Sequence, residues 1–421
     1  MIAEAAETTE RLDPEVRRSV LPSGTVVLTE AMDSVRSVAT GVWVRRGTAH
    51  EHPDCRGAAH LLEHMVFKGT RRRSARDIAA AIEDAGGSLD AYTTHEHTSF
   101  QVRVPSDHLQ TGLDVLADLV FYPSLRAKDL RMEKGVVLEE IARTEETADD
   151  LVFELHSEFL YDGHPYGAPI LGTRETVEAM DTGLLRRLHA GAYRPENLVV
   201  AAAGQVDHED LLEKVRRLWP ASGNGAGGEE VPELLSTARG RKVVSRPGGR
   251  QVHVVAGGLG LDHASPLRHA AILVGQAFGG GMSSRLFQRL REELGLAYSV
   301  FSFQSFYARG GHLGAYLGTR PETAEQARDV LLEEMRRLSE TGLSAAELGA
   351  VKEQIKGQIL LSLESPAARM HRLAALVLYG EPYRNLDALV DLIDGIDLAQ
   401  ADEVSRLYDP EGVAVLELWP A

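Results

Sequence analysis

The succession of apolar and polar positions predicts short strands alternating with helices through the first half of the chain. Arg17 to Thr29 reads as two short strand patterns about the turn Leu21-Pro22-Ser23-Gly24-Thr25, and Val35 to Arg45 as a further strand. Ala58 to Phe67 suits a helix, with Gly57 before it and Lys68-Gly69 as its stop. A helix from Ser74 to Ala85 is closed by Gly86-Gly87, and Ser88 to Val104 is long and strand-like. Helices follow at 107–120, 126–146 and 150–161, before Gly163-His164-Pro165-Tyr166-Gly167-Ala168-Pro169 breaks the chain. Residues 175–190 return to helix, and Leu198 to Val206 reads as an Ala/Val strand. Residues 1–15 read as a loose polar arm. Residues 219–240, Gly-rich and without periodicity, read as a flexible linker and domain boundary.

Beyond that boundary the chain repeats itself. Leu296-Ala297-Tyr298-Ser299 matches Asp90-Ala91-Tyr92-Thr93, and Asp329-Val330-Leu331 matches Asp114-Val115-Leu116. Lys356-Gly357 through Ser362 matches Lys134-Gly135 through Glu140. Leu378-Tyr379-Gly380 through Tyr383 matches Leu160-Tyr161 through Tyr166, and Tyr408 to Glu411 matches Tyr193 to Glu196. Matches in the same order and with like spacing imply a duplicated domain of roughly 200 residues. The expected division is 16–218 and 241–421.

Candidate chemistry begins on the Ala58 to Phe67 helix. His60 and His64 are i and i+4, so both imidazoles project from one face. So placed, they supply half of a tetrahedral zinc shell at about 2.0–2.1 Å. Glu63 lies beside them, where a carboxylate can take a proton from a metal-bound water. The motif is H-x-x-E-H, the inverted form of the H-E-x-x-H helix. Taken alone it also fits an amphipathic helix with two ordinary histidines, so a third ligand is needed. In 126–146, a helical pattern with apolar Leu130, Val137, Leu138 and Ile141, Glu133 and Glu140 are two turns apart and point the same way. Glu140 follows His64 by 76 positions (140 − 64). Two His and one Glu leave one coordination position open, the arrangement of a catalytic zinc. Glu133 is placed to hydrogen-bond a ligand or the water. A Glu-rich helix without such a partner is more often a solvated face.

H-x-x-E-H followed by a helix carrying E-x6-E resembles the pitrilysin-type, inverted-zincin (M16) metallopeptidases. Within them it is most similar to half-length bacterial members related to the mitochondrial processing peptidase beta subunit. The resemblance implies His60, His64 and Glu140 as ligands of one Zn2+ per chain. It implies Glu63 as general base and Glu133 as an accessory catalytic glutamate. It places peptide substrate along the strand containing Ala91 and Tyr92, which match the family, by strand addition. Asp90 stands where the family usually has Asn. In the second copy, Arg291 and Tyr298 match the family's R-x6-Y substrate-gripping pair. A guanidinium and a phenol are suitable donors to the carbonyl oxygen that becomes charged on attack. Without the resemblance they read as a surface Arg and a half-buried Tyr.

The implied fold is α+β, two homologous domains by internal duplication, each a mostly antiparallel sheet with helices packed on one face. The second copy has no H-x-x-E-H, and Ser362 stands where Glu140 would be, so only the first is expected to hold zinc. The resemblance further implies a closed chamber that admits peptides or unfolded, flexible segments. Half-length relatives build it from two subunits, so a homodimer is expected in which Arg291 and Tyr298 of one chain serve the zinc of the other.

Composition narrows the setting. A net charge of −17 argues against nucleic acid and against an anionic membrane surface. No run of about 18 apolar residues is present, and the acidic start has no apolar core of a signal peptide. A cytoplasmic protein is expected. The single cysteine, Cys55, excludes an intrachain disulfide. His95 and His97 would share a face on a strand and could hold a second metal, although exposed strands carry such residues routinely. The Gly279-Gly280-Gly281 loop lacks the phosphate-binding pattern. Two other classes stay open at this point. A scaffold subunit is opposed by the intact Glu63 and ligands. A non-peptidase zinc hydrolase would not need Arg291, Tyr298 and the strand around Tyr92.

Overall fold

The computed structural model describes residues 7–221, 230–234 and 236–421. Part of the expected linker, 222–229 and 235, lies outside the described residues, as does the start of the N-terminal arm. The strands of the first half are β1 (Thr8–Asp13), β2 (Val16–Val20), β3 (Val26–Ala31), β4 (Ser37–Val44), β5 (Ser88–Thr93), β6 (Thr98–Pro105) and β7 (Leu198–Gly204). Those of the second are β8 (Gly240–Arg246), β9 (Val252–Leu259), β10 (Ala297–Tyr307), β11 (Gly310–Thr319) and β12 (Ala414–Pro420). Helices α1 (Ala58–Val66), α2 (Ala75–Glu83), α3 (Leu109–Phe121), α4 (Ala127–Glu146) and α5 (Ala148–Tyr161) come first. Then follow α6 (Arg174–Ala179), α7 (Thr182–Ala192), α8 (His208–Leu218) and α9 (Arg268–Gly279). The last are α10 (Ala324–Thr341), α11 (Ala345–Ser362), α12 (Pro366–Leu378), α13 (Leu386–Asp394) and α14 (Leu398–Ser405).

The chain packs as two units. One takes Met1–Ile141, Pro169–Glu230 and Leu361–Tyr383; the other takes Ala142–Ala168, Val231–Leu360 and Arg384–Ala421. The bounds expected from the repeat, 16–218 and 241–421, run along the sequence, whereas each compact unit includes one helix from the other half. The reason lies in the strands. Those at the centre of the first sheet are apolar on both faces, β7 without interruption, so both faces need cover.

The first unit holds a seven-stranded sheet in the order β1-β2-β3-β7-β4-β6-β5, antiparallel except for β3 and β7. Its alternate residues separate into two cores. Val27, Val42, Phe100, Val102 and Val200 face the layer of α1, α3 and α8. Leu28, Ala39, Trp43, Val199 and Ala201 face Met370, Leu373 and Ala374 of α12, which comes from the second half of the sequence. Burying Met370 and Leu373 supplies about 1.5–3 kcal/mol each as an upper figure. The second unit holds a five-stranded sheet, β10-β11-β9-β12-β8, with β12 and β8 parallel and the other neighbours antiparallel. Val254, Ala256 and Leu317 pack with Leu273, Phe278 and Leu331, while Val255, Tyr316 and Leu416 pack with Leu151 and Val152 of α5. The α+β duplication is therefore present, with most helices on one face and one exchanged helix on the other.

Three local expectations change. Thr8–Asp13, within the expected loose arm, is an edge strand paired with β2; apart from Leu12 its residues are polar, and one apolar position makes no alternating signal. The long strand 88–104 is a hairpin, because Thr94 N donates to His97 O at 2.8 Å and turns the chain. The helix expected at 175–190 is two helices. Asp181 caps α7 by accepting from Leu184 N, which interrupts the first before it reaches the second. Among the described residues no helix is long and apolar enough to cross a membrane.

Candidate metal centre

Helix α1 begins where two backbone requirements meet. Gly57 has φ +89°, and a Cβ there would lie 2.4 Å from Leu171 O. The leading amides of α1 find a carboxylate: Glu51 Oε2 accepts from Gly57 N at 2.7 Å and Oε1 from Ala59 N at 2.6 Å. Burial pushes the Glu51 carboxyl up to about 8, against the pull of those donors.

One turn separates His60 from His64, and their ring centroids are 4.6 Å apart. Nε2 of each lies 3.6 Å from Glu140 Oε2 on α4. Among the described residues these form the group of His, Cys, Asp or Glu able to hold a metal ion, with donor atoms within 4.8 Å of one another. Ligands of a tetrahedral zinc, each at about 2.0–2.1 Å, stand about 3.3 Å apart, so the donor set fits zinc with a small closure of the carboxylate. At 3.6 Å the two contacts are longer than hydrogen bonds. Burial and the neighbouring His64 lower His60 to about 4, leaving a neutral imidazole of the kind a metal requires.

The second carboxylate of α4 stands behind the first. Glu133 is 3% exposed, with Oε2 3.2 Å from His64 Nδ1 and Oε1 2.8 Å from Lys68 Nζ. Nδ1–H donating to Glu133 leaves the His64 Nε2 lone pair for a cation; the tautomer follows from the partners. In this arrangement Glu133 fixes the orientation of the His64 ring.

Glu63 Oε2 accepts from Thr93 Oγ1 at 2.6 Å. Burial raises its pKa, while the Thr93 hydrogen bond and His64 lower it and Glu140 and Asp90 raise it. The nearby Tyr193 hydroxyl is buried without a hydrogen-bond partner, and burial with the charge of Glu63 pushes its pKa up.

Strand β5 lies at the sheet edge, next to β6 alone, so its outer backbone groups are open to another strand. Ala91 packs against the α1 core. Tyr92 points to the opposite face, where its hydroxyl accepts from Trp43 Nε1 at 3.4 Å and its ring stacks on His371 of α12. The second-metal idea at His95 and His97 fails with the strand that supported it. His95 Nδ1 lies 3.0 Å from Thr48 Oγ1 in the turn, and His97 is buried against Tyr92 and Tyr379. Cys55 is buried, its thiol directed to His52 O.

Arg291 and Tyr298 belong to the second unit and are brought together there. Arg291 Nη1 donates to Tyr298 O at 2.9 Å, and its guanidinium lies over the rings of Phe287 and Tyr298 at 4.8 and 5.0 Å. Tyr298 is 75% exposed. The motif reading missed Thr93, Lys68 and Glu51. Strand alternation could have found Thr93, which shares a face with Ala91; Lys68 carried only the signal of a helix stop.

Comparison with known proteins adds a family. The model of "Insulinase (Peptidase family M16)" matches residues 26–174, and that of "Peptidase M16 inactive domain" matches 181–355. An uncharacterized zinc protease of Streptomyces coelicolor is 37% identical over 399 residues, covering 93% of this chain and 86% of its own. The uncharacterized zinc protease YmxG of Bacillus subtilis is 35% identical over 408 residues, covering 96% and 98%. A protease from Helicobacter pylori shares the fold with a TM-score of 0.89 at 20% identity, over 97% of this chain and 100% of that one. A peptidase M16 inactive domain from Pseudomonas fluorescens does so with a TM-score of 0.89 at 21%, over 96% and 98%.

Proposed function

This chain belongs to the M16 peptidase family, and from that premise we propose that it is a zinc-dependent endopeptidase acting on peptides or flexible protein segments. The observation that carries the reading is the meeting of His60 Nε2, His64 Nε2 and Glu140 Oε2 beside the Glu63 carboxylate. Those three residues would hold a zinc ion, which would supply Lewis acidity toward the scissile carbonyl and the attacking water. Glu63 takes a proton from the attacking water as its oxygen bonds to the carbonyl carbon. It then passes that proton to the amide nitrogen as the C–N bond breaks. Glu133 holds His64 in the tautomer that presents Nε2. The open edge of β5 pairs with the substrate backbone. Arg291 and Tyr298, by their resemblance to the family pair, donate to the developing oxyanion. The same resemblance supports a closed chamber and a homodimer with composite sites.

Cleavage of a quenched peptide by wild type and Glu63→Gln, with bound zinc measured in both, tests the reading. The expected result is zinc in both and cleavage by the wild type alone. Equal cleavage by both removes Glu63 as the base.

A further inference from the structure

Glu63 is held by the strand that a substrate would extend. The Thr93 hydroxyl donates to Glu63 Oε2 at 2.6 Å, short for a neutral donor and of the length expected for a hydroxyl bonded to a carboxylate. This occupies one carboxylate oxygen and sets the plane of the group, leaving Oε1 for the proton that the reaction moves.

Thr93 itself has little freedom. It ends β5 opposite Thr98 of β6, and the turn after it is closed by Thr94 N to His97 O at 2.8 Å. The turn is also tied to the loop before α1: Thr48 N donates to Thr94 O at 3.1 Å, and Ala49 N to His95 O at 2.8 Å. A β-branched side chain on a strand held in this way has few rotamers, so the hydroxyl is aimed before a substrate arrives.

We propose that Thr93 is the positioning residue of Glu63, joining the proton-transfer group to the substrate-binding edge of β5. The inference rests on the reading of Glu63 as general base. Removing the hydroxyl leaves the backbone edge and the zinc ligands in place, so substrate binding persists while the chemical step slows.

The test compares Thr93→Val, which keeps the branched shape without the donor, with Thr93→Ser, which keeps the donor without the methyl. Wild type and Glu63→Gln run alongside, with zinc content and thermal midpoint recorded for each. The expected outcome for Thr93→Val is full zinc, a midpoint near wild type, little change in KM and a kcat lower by about 10-fold or more, a modest part of what a positioned base contributes. Thr93→Ser should recover most of that kcat. Three results overturn the proposal. Wild-type kcat in Thr93→Val while Glu63→Gln is dead leaves the base assignment standing and gives Thr93 no part. Thr93→Ser failing as badly as Thr93→Val, at equal midpoints, makes shape rather than the hydroxyl the cause. Cleavage by Glu63→Gln at the wild-type rate removes the base and Thr93's role with it.

Discussion

His64 Nδ1 stands 3.2 Å from Glu133 Oε2, and the other oxygen of Glu133 stands 2.8 Å from Lys68 Nζ. One buried carboxylate thus ties both the His64 imidazole and the end of α1 to α4. Glu133→Gln keeps the volume but loses the negative charge that holds the Nδ1–H tautomer and the lysine. Zinc affinity should fall by about 10–100-fold, the usual effect of removing such a partner. Competition against a metal-binding dye reads this directly, and unchanged affinity would detach Glu133 from the site.

Gly57 is the backbone counterpart of that carboxylate. Its φ of +89° and the 2.4 Å approach of a Cβ to Leu171 O leave no room for Ala. Gly57→Ala should lower stability by about 1–3 kcal/mol and weaken zinc binding, because the strain falls at the first turn of α1. Denaturant melts of the metal-free protein check the first effect and dye competition the second. A melt equal to wild type would mean that the turn accommodates the methyl.

How far the sequence discloses this site depends on the range of each interaction. The pair His60 and His64 is local, one turn on a helix bounded by Gly57 and Lys68-Gly69, and is legible at once. Glu140 is distant in sequence yet legible, because Glu133 and Glu140 share a helix face and two positions constrain each other. The turn at Thr94–His97 was hidden by polar residues that suit an exposed strand equally well, and with it went the apparent pairing of His95 and His97. The exchange of α5 and α12 was illegible for another reason. Their apolar faces show that something must be covered, and nothing in the local pattern says which sheet. The bond between Thr93 and Glu63 needs both the register of β5 and the rotation of α1.

Acid should destabilise the fold through buried neutral histidines. Burial, and then the neighbouring His371, lower His97 to about 4; burial lowers His189 to about 4 against its hydrogen bond to Val120 O. The unfolded value is about 6.5, so the unfolded chain binds more protons between these limits. This contribution to stability is fully present above about pH 6.5 and is lost as pH falls through about 4, up to about 1–3 kcal/mol for each group. Denaturant midpoints of the metal-free protein at pH 7 and pH 5 should show the loss. His97→Phe, which removes a ring nitrogen lacking a hydrogen-bond partner, should flatten the profile. An equally steep profile in that variant would exclude His97 as a source.

The composite-site proposal has its own test. Glu63→Gln and Arg291→Ala, each inactive alone, are mixed under conditions of subunit exchange. Action in trans leaves one complete site in each mixed dimer, so activity should return. No recovery despite demonstrated exchange would place both residues' contributions within one chain.

The central claim is that His60, His64 and Glu140 hold one catalytic metal. Zinc per chain, measured after dialysis for wild type and Glu140→Gln, addresses it most directly. The account predicts one zinc in the wild type, its loss from Glu140→Gln, and peptide cleavage that follows the zinc. Full zinc in Glu140→Gln, or a zinc-free wild type that still cleaves, would contradict it.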